Sequence, residues 1–162
     1  IKNICKTLIH EQIHVFQRDK YKIFKELYQK YWNFSICDLK LNAKYLKNQR
    51  IYPDGYDDWC YKEKGVYIYP FVSLKKNYKH LNDVETLSIP IKDKEIKYNK
   101  ISNINQNNNY VSFFCNVSQN YHPNEISAII LSEMIINKIY FEKNENCEAL
   151  SVIKPWINKY LK

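Results

Sequence analysis

Glycine is nearly missing from this chain. Two occur in 162 residues, Gly55 and Gly65. A loop that wraps a phosphate needs several glycines close together, so Gly-rich phosphate loops are excluded. No C-x-x-C pair exists among the five cysteines, Cys5, Cys37, Cys60, Cys115 and Cys147, which argues against a Cys-type zinc knuckle. No apolar run is long enough to span a bilayer, and no signal peptide is visible. An odd set of widely spaced cysteines is expected to be free thiols in a reducing compartment, which favours an intracellular location. The chain begins at Ile1 without Met. It is therefore expected to be an excerpt or a processed product that lacks some N-terminal sequence, where a localisation signal could have stood.

What remains is ordinary globular composition, 45% hydrophobic and 26% charged, and one domain over residues 1–162 is expected. The net charge of +8 favours acidic partners such as nucleic acid or an anionic membrane surface. The lysines are scattered, so a basic nucleic-acid-binding module stands only as an alternative.

The most informative segment is His10-Glu11-Gln12-Ile13-His14, which reads H-E-x-x-H. Residues four apart share one helical face, so both imidazoles can point at one metal ion. Glu11, beside the first His, can then reach a water on that metal and act as general base. Independent residue frequencies produce this pattern in roughly 0.6% of such chains, which makes accident the weaker reading. Leu8, Ile9, Ile13, Val15 and Phe16 are expected to hold the helix against a core. Apart from Glu11 and the two His, the stretch from Thr7 to Phe16 is uncharged.

Helical spacing predicts a helix over residues 3–18 and a second over 20–32, with Tyr21, Phe24, Leu27, Tyr28 and Tyr31 as core. Residues 33–49 are ambiguous between helix and strand. Pro53-Asp54-Gly55 is a turn signal, and the nearby Asp54, Asp57 and Asp58 fit turn chemistry better than a calcium loop. Residues 66–74 read as a strand, with Pro70 suggesting an edge or a bulge. Residues 84–91 and 95–98 are weaker strands, and the Asn-rich 99–109 reads as an exposed loop or insertion. Tyr110–Val117 is the strongest strand candidate. A helix should open at Pro123 and run to about Phe141, and a last one, interrupted by Pro155, covers about 147–161.

Catalytic zinc usually takes three protein ligands and keeps one position open. The other histidines, His80 and His122, and many carboxylates, Glu125 among them, could supply the third. A carboxylate in the first turn of a helix also has a purely structural reading, as a cap that complements the helix dipole. His122 is the rival ligand, or an oxyanion donor alongside Tyr121 and Arg50.

The uncharged flanks of H-E-x-x-H resemble the active-site helix of the zincin metallopeptidases. Asn124-Glu125-Ile126-Ser127-Ala128 resembles the second motif of the gluzincin branch, where an Asn-Glu pair on a downstream helix supplies the third ligand. Asn124, Glu125 and Ala128 match. Ile129 stands where that branch has an Asp that orients a zinc histidine, so another group must do this. Gln17, Pro123, Asn124 and Glu125 also fit a form in small zincin-like proteins that pairs an HExxHxxQ helix with a late P-N-E helix. A metzincin would need Gly at Gln17 and His at Lys20. The resemblance implies an α+β, zincin-like fold, with the motif helix against a small sheet and a ligand-bearing helix near the C-terminus. It implies Zn2+ held by His10, His14 and Glu125, with Glu11 catalytic; His122, in the loop leading into the late helix, is the second catalytic candidate. The expected function is zinc-dependent hydrolysis of a peptide or protein substrate. An inactive zinc-binding domain is the other alternative.

Overall fold

A computed structural model describes residues 1–39, 41–47, 49–50, 57–80, 83–92, 95–143 and 147–161. The Pro53-Asp54-Gly55 turn and the Arg50 side chain lie outside the described residues. The fold is α+β. Helix α1 (Lys2–Asp19) leads into α2 (Tyr21–Glu26), which continues as a π-helical turn over Leu27–Tyr31. Then come β1 (Phe34–Ile36), α3 (Ala43–Leu46), β2 (Gln49–Arg50), β3 (Trp59–Glu63), β4 (Val66–Leu74), β5 (Val84–Lys92), β6 (Glu95–Ile96) and β7 (Ser102–Asn103). Helices α4 (Asn108–Phe113), α5 (Pro123–Ile139) and α6 (Glu148–Tyr160) complete the chain.

The described strands form one antiparallel sheet in the order β1-β3-β4-β5-β6, with β2 beside β4 and β7 beside β5. Glu63 pairs with Val66, so β3 and β4 are joined by the two residues Lys64 and Gly65. Both have positive φ, 47° and 82°, as a type I′ hairpin turn demands, and Gly65 takes its place in it without a steric penalty.

Strand β4 is central, not an edge. Pro70 is accommodated because its missing N–H points away from β5. Lys97 N donates to Pro90 O, so the Ile68–Pro90 pair exchanges no bonds within the β4–β5 ladder. By alternation, neither does Pro70–Ser88. Pro70 therefore faces the gap between β3, which pairs as far as Ile68, and β2, which starts at Val72.

The sheet has two covered faces. On one, Trp59, Tyr61, Phe34 and Ile68 meet the helices through Trp32, Tyr28, Phe24, Phe114 and Trp156. On the other, Cys60, Tyr69, Phe71, Ile89 and Ile91 lie under Leu41, Tyr45 and Tyr98. Helix α6 docks by its buried stripe of Ala149, Ile153 and Trp156, and Trp156 Nε1 donates to Ile23 O at 3.0 Å. The expected interruption at Pro155 does not occur. The burial of that stripe outweighs the ~3 kcal/mol a mid-helix proline costs.

Two expected elements are different in the fold. Tyr110–Val117 is not a strand: Asn107 accepts the Tyr110 amide as an N-cap, and Tyr110, Phe113 and Phe114 bury at helical spacing. The Asn-rich 99–109 is no bare loop. It holds β7 and two short 3-10 turns, and Ile104 is fully buried.

The cysteines are also different from the expectation. Cys37 pairs with Cys60 and Cys115 with Cys147, leaving Cys5 free. Their Cα separations of 5.9 and 5.3 Å fall in the range a disulfide spans. Among the described residues, no helix is long and apolar enough to cross a membrane. Alkylation of the folded, unreduced chain is expected to label Cys5 alone, with Cys37–Cys60 and Cys115–Cys147 recovered as linked peptides. Labelling of all five would contradict this pairing.

Candidate metal centre

Helix α1 buries Ile13, His14 and Gln17, with Ile9 and Phe16 partly covered. Leu8 and Val15, expected in the core, are 61% and 50% exposed on the outward face. The inward stripe is thus partly polar, and His14 and Gln17 are each only 3% exposed. Buried polar groups of this kind must find partners. They find them on α5, which runs antiparallel to α1: Lys6 pairs with Glu133, His14 with Glu125, and Gln17 bonds Asn124.

Helix α5 is fixed at its start by His122. The ring Nδ1 accepts the Asn124 amide at 3.1 Å, and Nε2–H donates to Asp57 O at 3.1 Å. Pro123 follows in the first turn. Burial lowers the His122 pKa, against the opposing pull of its bond to Asp57 and of the Glu125, Asp58 and Asp57 charges. The ring is neutral, with both nitrogens committed. His122 therefore caps the helix that carries Glu125 and takes no place in the His cluster.

With the cap filled by His122, the Glu125 carboxylate turns to the motif helix. Its oxygens lie 3.5 Å from His10 Nε2 and 3.5 Å from His14 Nε2, and the two Nε2 atoms are 3.0 Å apart. Burial alone would raise the Glu125 carboxyl, but the His10 and His14 side chains beside it outweigh burial and hold it at about 2. Glu125 is ionised. His10, His14 and Glu125 form a group able to hold a metal ion, with ligand atoms all within 4.8 Å of one another. Tetrahedral zinc with bonds of about 2.0–2.1 Å separates its ligand atoms by about 3.3 Å; the two Nε2 atoms are 3.0 Å apart, and each lies 3.5 Å from a different Glu125 oxygen, Oε2 for His10 and Oε1 for His14.

The ring of His14 is held from α1 itself. His14 Nδ1 lies 2.8 Å from Gln17 Oε1. Gln17 Nε2 donates to Asn124 O and to Ser127 Oγ, both at 2.8 Å, and Tyr28 OH meets Ser127 Oγ at 2.9 Å. Gln17 was visible in the sequence as part of the HExxHxxQ form, but its partners were not. Ser127 and Tyr28 carried no signal beyond core.

Glu11 is exposed and lines a cleft of about 510 Å3 beside His10. The walls are α1, α5 at Ile129 and Glu133, and residues 115–119. Cys115 and Asn116 hold left-handed φ of 57° and 54° in that wall, and the bond to Cys147 ties it to the start of α6. Of the expected oxyanion donors, His122 has both nitrogens engaged and Tyr121 is buried. Thr7, Asn116, Ser118 and Gln119 are the polar cleft groups that sequence reasoning missed; in the sequence they are indistinguishable from ordinary surface residues. His80 sits exposed between β4 and β5, its amide bonded to Asp83. Asp57 and Asp58 accept from Tyr21 and Tyr69, respectively.

No family model, curated protein or solved structure matches this chain. The geometry of the site is therefore what bears on its chemistry.

His122→Ala is expected to cost about 1–2 kcal/mol of stability, the value of a lost N-cap. Its zinc affinity in a calorimetric titration should stay within about threefold of the parent, well under the tenfold that 1.4 kcal/mol represents. A fall in affinity comparable to deleting a ligand would place His122 in the coordination sphere.

Proposed function

We propose that this chain is a zinc-dependent hydrolase, a peptidase of zincin type with the ligand arrangement of the gluzincin branch. One observation carries the reading. Two imidazoles from one helix and a carboxylate from an antiparallel one converge with zinc-like spacing, and the Glu of the same H-E-x-x-H faces the adjoining cleft. Two nitrogens and one carboxylate are a donor set typical of catalytic zinc, with room left for water or substrate.

Zinc bound there would act as a Lewis acid, favouring deprotonation of water and polarising the scissile carbonyl. The chain's own groups do the rest. His10 and His14 offer neutral nitrogen donors, and the ionised Glu125 offsets part of the ion's charge. Glu11 takes the proton of the attacking water and delivers it to the leaving amine, a general acid–base role worth about 10²–10⁴-fold. Its exposure suits a group that must exchange protons with water and substrate. The cleft between α1 and α5 receives the substrate, and its polar wall of residues 115–119 offers donors to the carbonyl.

The test separates binding from chemistry. Glu125→Ala should weaken zinc binding at least tenfold in a competition titration, whereas His80→Ala should leave it unchanged. Glu11→Gln should keep parent zinc content while cleavage of a mixed peptide library, read by mass spectrometry, falls on the order of 10²-fold or more. Full activity in Glu11→Gln would refute the mechanism. Zinc binding without any cleavage by the parent would leave a zinc-binding domain that is not a hydrolase.

A further inference from the structure

We infer that Gln17 is a positioning residue for the metal centre, holding His14 in the Nδ1–H tautomer so that its Nε2 lone pair faces the Glu125 carboxylate and His10. The functional consequence rests on the metal reading of that centre.

The carbonyl of Asn124 can only accept a hydrogen bond. Gln17 approaches it at 2.8 Å, so the group facing it must be the side-chain NH2, not its oxygen. That fixes the amide orientation. The Gln17 oxygen is then the atom 2.8 Å from His14 Nδ1, and an oxygen there requires a proton on Nδ1. A neutral imidazole with its proton on Nδ1 has a bare Nε2. That Nε2 is the atom 3.0 Å from His10 Nε2 and 3.5 Å from Glu125 Oε1.

Ser127 adds a second lock. Its hydroxyl donates to Asn124 O at 3.0 Å, leaving its oxygen to accept from Gln17 NH2 and to meet Tyr28 OH. A flipped Gln17 would set its oxygen against Asn124 O and lose the donation to Ser127. The residue before the carboxylate ligand thus dictates, through one glutamine, the tautomer of a histidine ligand on the other helix. In metal sites such partners fix ring orientation, and their loss typically costs 10–100-fold in affinity.

The test reads the tautomer in metal-free full-length protein at about pH 8, where free imidazole is neutral. Long-range 15N–1H correlation spectra of histidine-labelled chain, assigned against His14→Asn, should show His14 protonated at Nδ1. In Gln17→Met, which keeps length and loses all three bonds, the Nε2–H form should appear and the zinc Kd rise 10–100-fold. Gln17→Glu, which retains an oxygen opposite Nδ1, should restore the Nδ1–H form. A merely structural role would not make the tautomer follow the acceptor. A parent His14 protonated at Nε2, or a Gln17→Met variant with parent tautomer and parent Kd, overturns the inference. If Gln17→Met fails to fold, Gln17→Glu decides: loss of its Nδ1–H form overturns the inference. If the parent binds no zinc, the metal reading fails, while the tautomer spectra still decide the role of Gln17.

Discussion

The buried hydrogen bond from Gln17 to the Asn124 carbonyl is the contact on which the candidate centre depends. It joins α1 to α5 in one register, and that register decides whether Glu125 stands opposite His10 and His14. A slip of one helical turn is about 5.4 Å, enough to carry the carboxylate out of reach of either imidazole. The ion pair Lys6–Glu133 joins the same helices, and Lys2–Glu142 joins α1 to the segment just after α5, but both are substantially exposed, and such pairs contribute about 0–1 kcal/mol. Leaving buried polar groups unpaired costs about 1–3 kcal/mol for each. Gln17, His14 and Ser127 would all lose partners on a slip, so the buried network sets the register and the surface pairs follow it.

The rest of the fold holds that pair of helices in place. Helix α5 is buried over most of its circumference, which is why its sequence is apolar on several faces rather than on one stripe. Its start is fixed twice, by the His122 cap and by the bond from His122 to the Asp57 carbonyl at the approach to β3. The π-helical turn after α2 carries Tyr28, whose ring packs on Trp59 and Trp32 and whose hydroxyl meets Ser127. Through that one side chain the aromatic core supports the network behind His14.

Legibility followed the range of the interactions. H-E-x-x-H could be read because both histidines belong to one helix, and helical spacing is local. Val66–Leu74 could be read as a strand from its β-branched and aromatic run, but its central position could not, because the gap that shelters Pro70 is made by β2 and β3. Tyr110–Val117 was misread since a strand-forming run can also have helical period, and the deciding Asn107 cap looked like part of an Asn-rich loop. Strand β3 escaped notice for want of length. The disulfides join residues 23 and 32 apart in sequence, with nothing local to mark them. Glu125 was nameable only through the histidines upstream. His122 could not be assigned as a cap, because its role is set by Asp57, far away along the chain.

The proposed function requires that His10, His14 and Glu125 hold one divalent ion. Zinc K-edge X-ray absorption on the full chain loaded with one equivalent of Zn2+ tests this. A first shell of nitrogen and oxygen alone at about 2.0–2.1 Å is expected, with outer-shell scattering from two imidazoles. Sulfur at about 2.3 Å, or a hydrated ion without imidazole scattering, would contradict it.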